Sequence, residues 1–104
     1  MKQFDVFENP IPAARRAYPF VTILQSDLAN TGRDRIVAPL APRSRLRGTK
    51  GRLTPHVEIA GVGHVLIVPS LTAIAAADLG SSRGTVNAHR DEIVAALDYL
   101  FLGV

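Results

Sequence analysis

One stretch of this 104-residue sequence carries sustained helical periodicity, and it lies at the C-terminal end, from Asn87 to Val104. Ile93, Leu97, Leu100 and Val104 recur at i, i+4, i+7 and i+11, with Val94 and Phe101 flanking that stripe. Asn87 reads as the N-cap, and Asp91 and Glu92 follow early, where the helix dipole favours negative charge. Gly103 stands where a glycine C-cap belongs. A chain end is normally frayed and polar unless something ties it down. This one ends on an apolar tip, so it is expected either to dock on its own sheet or to be presented to a partner. Since no other segment has this period, the rest of the fold must be built from short strands.

The strands can be read from alternation and from proline and glycine punctuation. Phe4 and Val6 alternate around Asp5, predicting a strand over Gln3–Phe7 that Pro10 and Pro12 prevent from continuing. Tyr18–Gln25 is rich in β-branched and aromatic residues and reads as the second strand. A turn follows from Ser26 to Gly32, then a strand over Arg35–Leu40 with Pro39 near its end or on an edge. Leu53–Ile59 and His64–Val68, joined by a tight turn at residues 60–63, make the clearest hairpin. Ser70–Ala77 is open between helix and strand, because alanine favours helix; its neighbours and the stop at Gly80 favour a bent strand. Ser81–Thr85 reads as a loop. The class is mostly β, a small barrel-like sheet with one helix packed on it.

Composition bounds what such a fold can do. Hydrophobic residues at 47% and charged residues at 20% fit a folded chain, and the length suits one domain, residues 1–104. Cysteine is absent, which removes disulfides and thiolate chemistry and fits a reducing, cytoplasmic setting. The N-terminus has no long apolar run of the signal-peptide kind. The longest apolar run, Val62–Ala77, is too interrupted by Gly63, His64, Pro69, Ser70 and Thr72 to span a membrane. Positive charge gathers at Arg33, Arg35, Arg43, Arg45, Arg47, Lys50 and Arg52, opposed there only by Asp34. Such a segment can steer an acidic partner or bind nucleic acid, or it can be a solvated loop.

Catalytic and metal signatures are weak. No glycine-rich phosphate loop, HExxH helix or nucleophile elbow is present. His56, Glu58 and His64 could meet across the hairpin, but a further metal ligand is not evident. His89 reads as a solvated residue of the first helical turn. Metal-free RNA cleavage needs a general base, a general acid and cationic support around one phosphate; Arg33, Arg35, Thr54 and His56 are the residues that could supply it.

Four blocks in register resemble one family. Gln25-Ser26-Asp27-Leu28, then Thr31-Gly32-Arg33, Arg35, Val37 and Pro39-Leu40, resemble the signature of the CcdB toxins of bacterial toxin–antitoxin pairs, with about one residue fewer in the turn. Leu53, Pro55, Val57 and Ile59 resemble a second family strand, and Ala76-Ala77-Asp78-Leu79-Gly80 a third block. Ile93, Ala96, Leu97, Phe101, Gly103 and Val104 resemble the family's closing helix. The resemblance implies an SH3-like barrel of antiparallel strands with a C-terminal α-helix, forming a homodimer. It implies a protein that is not an enzyme; no cofactor, metal or membrane association is expected. It further implies binding to the GyrA subunit of DNA gyrase, trapping of the gyrase–DNA cleavage complex, and neutralisation by a CcdA-like antitoxin with a disordered tail. Nucleic acid is met only through the gyrase–DNA or antitoxin–operator complex. A metal-independent endoribonuclease toxin on the same barrel, or a non-toxic relative, are the alternatives.

Carried over by position, the gyrase-facing residues are Leu28 and Ala29 in the turn, and Asp98, Phe101, Leu102, Gly103 and Val104 at the end. Leu102 departs from the Trp of the family's well-known poisons, which removes a flat ring and keeps aliphatic burial. Ala29 is smaller than the familiar Ile, and Asp98 is charged where a neutral amide is familiar. The antitoxin-facing region corresponds to Glu8 through Arg16, where Arg15 and Arg16 suit an acidic tail.

Overall fold

The computed structural model describes residues 1–29, 32–46 and 51–104. Asn30 and Thr31 of the turn, and Arg47, Gly48 and Lys50 of the basic segment, lie outside the described residues. The strands are β1 (Asp5–Glu8), β2 (Phe20–Ile23), β3 (Asp34–Pro42), β4 (His56–Ile59), β5 (Val62–Leu66), β6 (Thr72–Ala75) and β7 (Gly84–Thr85), followed by the helix α1 (Arg90–Leu102). All pairings are antiparallel, in the order β4-β5-β3-β2-β1-β7, with β6 on β3. The result is the predicted class, a nearly closed barrel with one C-terminal helix.

β3 is the strand on which the rest is hung. One edge pairs with β2 over Val37–Leu40. The other edge pairs with β6 over Asp34–Val37 and with β5 over Leu40–Pro42. Pro39 therefore sits inside the strand rather than near its end. Its carbonyl accepts the Ile67 N–H at 3.0 Å. A strand residue points its N–H and C=O to the same side, so the donor that proline lacks falls where β3 exchanges β6 for β5 and no ladder bond is forfeited.

The β4–β5 hairpin closes on the pair Ile59–Val62. Gly63 pairs with Glu58, so the connection is two residues, Ala60 and Gly61, rather than the four expected. Both have positive φ, 50° and 79°, the type I′ geometry that suits the twist of a two-residue hairpin. Ala60 is a poor residue for it. Replacement by Asn, which visits this region at lower cost, is expected to stabilise the protein by roughly 0.5–1 kcal/mol, raising the melting temperature by a few degrees in a thermal scan.

Two apolar layers cover the sheet. The larger gathers Phe4, Val6, Leu24, Leu40, Val57, Ile59, Leu66, Val68 and Val86 under the helix residues Ile93 and Ala96, with Val94, Leu97 and Leu100 half-buried against them. The smaller packs Phe7, Val21, Ile23 and Val37 under Ile74 and Leu79. Ile74 belongs to β6, so the Ser70–Ala77 segment is a strand at its centre, bounded by 3-10 turns at Val68–Ser70 and Ala76–Asp78. The predicted loop at Ser81–Thr85 ends in β7, which pairs with β1.

The helix departs from the expected pattern at both ends. Asn87 is not its N-cap: it begins a 3-10 turn, Asn87–His89, and donates its N–H to Thr85 Oγ1 at 3.1 Å. His89 stands at the cap position, and its Nε2 accepts the Glu58 N–H of the barrel edge at 3.1 Å. It is a clasp between helix and sheet rather than a solvated residue. At the far end the stripe narrows to Ile93, Ala96, Leu97 and Leu100, while Phe101 and Val104 are 66% and 75% exposed. Gly103 is the cap predicted, with φ 72° and its N–H on the Tyr99 carbonyl at 3.1 Å.

Candidate partner-binding sites

The end of α1 is an apolar tip that its own barrel does not cover. Phe101, Leu102 (72% exposed) and Val104 stand out from the last turn, with exposed Asp98 one turn before. Scattered exposed apolar residues are ordinary, but several contiguous ones mark an interaction surface. The base of the tip is fixed by a residue the sequence placed in the basic loop: the Arg52 guanidinium lies 3.8 Å from the Tyr99 ring centroid. Nothing in the spacing of those two residues announced that contact.

The turn after β2 presents a second apolar point. Leu28 is 96% exposed, and Ala29 beside it is exposed. The three polar residues before them hold the turn. Gln25 donates to the Ala29 carbonyl and accepts the Ile36 N–H, both at 2.7 Å. Ser26 Oγ accepts the Leu28 N–H at 3.1 Å, and Asp27 Oδ1 accepts the Gln3 N–H at 2.7 Å. The Gln-Ser-Asp block is thus a set of backbone clamps that leaves Leu28 projecting.

On one copy of the chain these two groups do not converge. Gln3, clamped to Asp27, also accepts a bond from Arg90 at 3.2 Å, so the Leu28 turn lies beside the first residue of α1. At a rise of 1.5 Å per residue, Leu102 is about 18 Å further along the axis. Leu28 and Ala29 sit at one end of the helix; Asp98, Phe101, Leu102, Gly103 and Val104 sit at the other.

The third group is assembled. Glu8 receives Arg15 at 3.2 Å and Arg83 at 3.1 Å on its two carboxylate oxygens. Arg15 also donates to the Asn9 carbonyl at 2.8 Å, while buried Asn9 holds the Tyr18 carbonyl and the Ile11 N–H. These residues edge a groove that continues to Asp78 and Ser81. Arg16 is exposed beside it. The involvement of Arg83, far away in sequence, was not legible before folding.

The other constellations disperse. Register pairs His64 with Val57, and His64 is 4% exposed, edge-on to Phe20. His56 and Glu58 alternate to the opposite face. Among the described residues no group of three or more His, Asp or Glu could hold a metal ion. Arg35 lies at the β6 end of β3, bonded to the Gly32 and Asp34 carbonyls. His56 is aligned through Val65 with Ala41 at the other end of β3. Arg35 and His56 line different grooves, so they do not bracket one phosphate.

A family model described as the CcdB protein matches residues 3–103. The chain belongs to the CcdB family. CcdB proteins are a toxin family of toxin–antitoxin systems. The match takes in the Leu28 turn, the Glu8 groove and all of α1. No curated protein matches the chain. Among the described residues no helix is long and apolar enough to cross a membrane.

Proposed function

We propose that this chain is a cytoplasmic toxin, one CcdB-like domain over residues 1–104, that acts by binding rather than by catalysis. Its target is the GyrA subunit of DNA gyrase, held as the gyrase–DNA cleavage complex. Asp98, Phe101, Leu102, Gly103 and Val104, with Leu28 and Ala29, form the target-facing surface. A CcdA-like antitoxin neutralises it at Glu8, Arg15 and Arg16. The observation that carries this reading is the uncovered tip: α1 buries Ile93 and Ala96, yet leaves Phe101, Leu102 and Val104 outside. The separation of turn and tip along α1 fits a homodimer, in which one copy supplies the turn and the other the tip to a single partner.

The paired Glu8–Arg15 and Glu8–Arg83 contacts are exposed and contribute little to stability. They can be exchanged for an acidic segment that folds as it binds. The tip has aliphatic bulk where an aromatic would make the stronger anchor. In a pull-down on a GyrA fragment, Leu102→Trp is therefore expected to retain GyrA more tightly than the parent. A gain of 1–3 kcal/mol corresponds to roughly 5- to 150-fold in affinity. Equal retention by the Trp variant would remove Leu102 from the interface, and weaker retention would overturn its reading as an anchor that an aromatic improves. Capture by the Trp variant alone would mean that the parent chain is a non-toxic relative with its target surface retained.

A further inference from the structure

We propose that Arg16, Arg43 and Arg45 form a surface that binds the phosphate backbone of duplex DNA directly, without reading its sequence. Three observations build it. Arg45 donates from Nη1 to the Arg16 carbonyl, which fastens the 3-10 turn Arg43–Arg45 onto the loop before β2 and brings two basic segments together. The Arg43 guanidinium lies over Gly63, so close that a β-carbon there would stand 3.0 Å from its Cζ. Arg43 makes only a long 3.5 Å bond to the Val57 carbonyl, and its Nε is buried with no hydrogen-bond partner. Nε is itself closed to an incoming anion, so its burial holds the guanidinium in place and leaves the charge uncompensated.

These cations are held but not neutralised. The acceptors named for Arg43 and Arg45 are backbone carbonyls, which orient a guanidinium and leave its charge intact. Among the described residues the ion pairs are those of Arg15 and Arg83 with Glu8. Glu58 pairs with Gly63 across the hairpin, and no ion pair joins it to Arg43 among the described residues. Preorganised guanidinium forks match phosphate oxygens well, and less side-chain entropy is lost when they bind.

Duplex fits better than the other polyanions. Single strands are gripped by exposed aromatics, and here the exposed aromatics, Tyr99 and Phe101, are on α1. An acidic peptide that folds on binding needs a groove to order it; the grooves lined by Glu8 and by His56 stop short of Arg43 and Arg45. The proposal does not depend on the gyrase reading, since a chain that ignores GyrA could still carry this face.

The test is fluorescence anisotropy of the full chain with two labelled duplexes of unrelated sequence. Equal affinity for both is expected. Three phosphate contacts at a slope of about −0.9 each weaken binding about 40-fold between roughly 50 and 200 mM salt. Arg16→Glu is the clean variant: its side chain is exposed, and its carbonyl still receives Arg45. Lys2→Glu makes the same change in net charge at an exposed site away from these arginines. Arg16→Glu is expected to lose about tenfold or more in affinity and to flatten the salt slope by about one contact or more, with Lys2→Glu within about twofold of the parent. Equal losses in the two variants would reduce the effect to net charge and overturn the proposal. So would the absence of saturable binding, a preference for one duplex, or tighter Arg16-dependent binding of a polyglutamate peptide.

Discussion

A chain ending at Phe101 is expected to lose growth arrest and to keep its fold. Leu102 and Val104 are exposed, and a β-carbon at Gly103 would meet nothing within 4 Å. The segment closes α1: Gly103 N–H bonds to the Tyr99 carbonyl, and Leu102 ends the helix's own i−4 ladder. Deleting these exposed terminal bonds costs about 1–2 kcal/mol, and in a domain of this size that lowers the melting temperature by at least about 4 °C. Leu102 and Val104 go with them, two of the three uncovered apolar side chains of the tip, and truncating such anchors removes a large share of a binding energy. Inducible expression beside a thermal melt separates the two effects. Growth arrest that survives in the truncated chain would remove the tip from the mechanism. Gly103→Glu serves as a second form of the same test. Its φ of 72° strains any side chain by about 1–2 kcal/mol, while the new carboxylate stands in open space on the tip. Loss of arrest is again expected without unfolding.

Much of this architecture could be read before folding because short-range physics fixes it. Alternation and β-branching located β2, β4 and the bulk of β3, and helical spacing with Gly103 located α1 and its end. What escaped was set by distant partners. Pro39 is harmless inside β3 only because the strand changes neighbours there, which no local pattern encodes. Asn87 has good capping chemistry, but Thr85 takes its N–H, and His89 is drawn to the edge of β4. The stripe predicted to run on to Val104 stops at Leu100 because the barrel ends before the helix does. The same applies to the sites. Leu28, Leu102, Gly103 and Val104 could be named from the family resemblance. Their placement at opposite ends of α1 depends on Gln3 joining Asp27 to Arg90, three residues that no motif connects. Arg83 on Glu8 and Arg52 on Tyr99 are likewise contacts made by closure of the sheet.

Phe4→Ala is expected to be the most damaging single change in the core. Phe4 is fully buried and has φ 69°, a left-handed conformation that a bulky residue adopts only when its surroundings compel it. Its N–H donates to the Ile23 carbonyl at 2.7 Å, and its carbonyl accepts Val86 N–H at 3.0 Å. The residue therefore ties β2 to the segment that leads into α1. This also explains why β1 begins at Asp5 and not at the predicted Gln3. Its ring packs in the layer that contains Ile93 and Ala96, with the Arg90 guanidinium 5.6 Å from the ring centroid. Removing a buried Phe side chain costs about 3–5 kcal/mol, out of a total of roughly 5–15 kcal/mol for a domain of this length. Alanine keeps the backbone strain and loses the packing that sustained it. The melting temperature is expected to fall by at least about 12 °C. Phe4→Gly relieves the strain and recovers no more than about 1 kcal/mol of the loss. Hydrogen exchange should show where the damage goes: amides from Val86 to Ile93 lose protection before those of β3, because Phe4 holds the start of the helix and β3 is held on both edges. A uniform loss of protection would instead mean that the barrel and helix open as one unit. An unchanged melt would show that the left-handed conformation at Phe4 is not sustained by its packing.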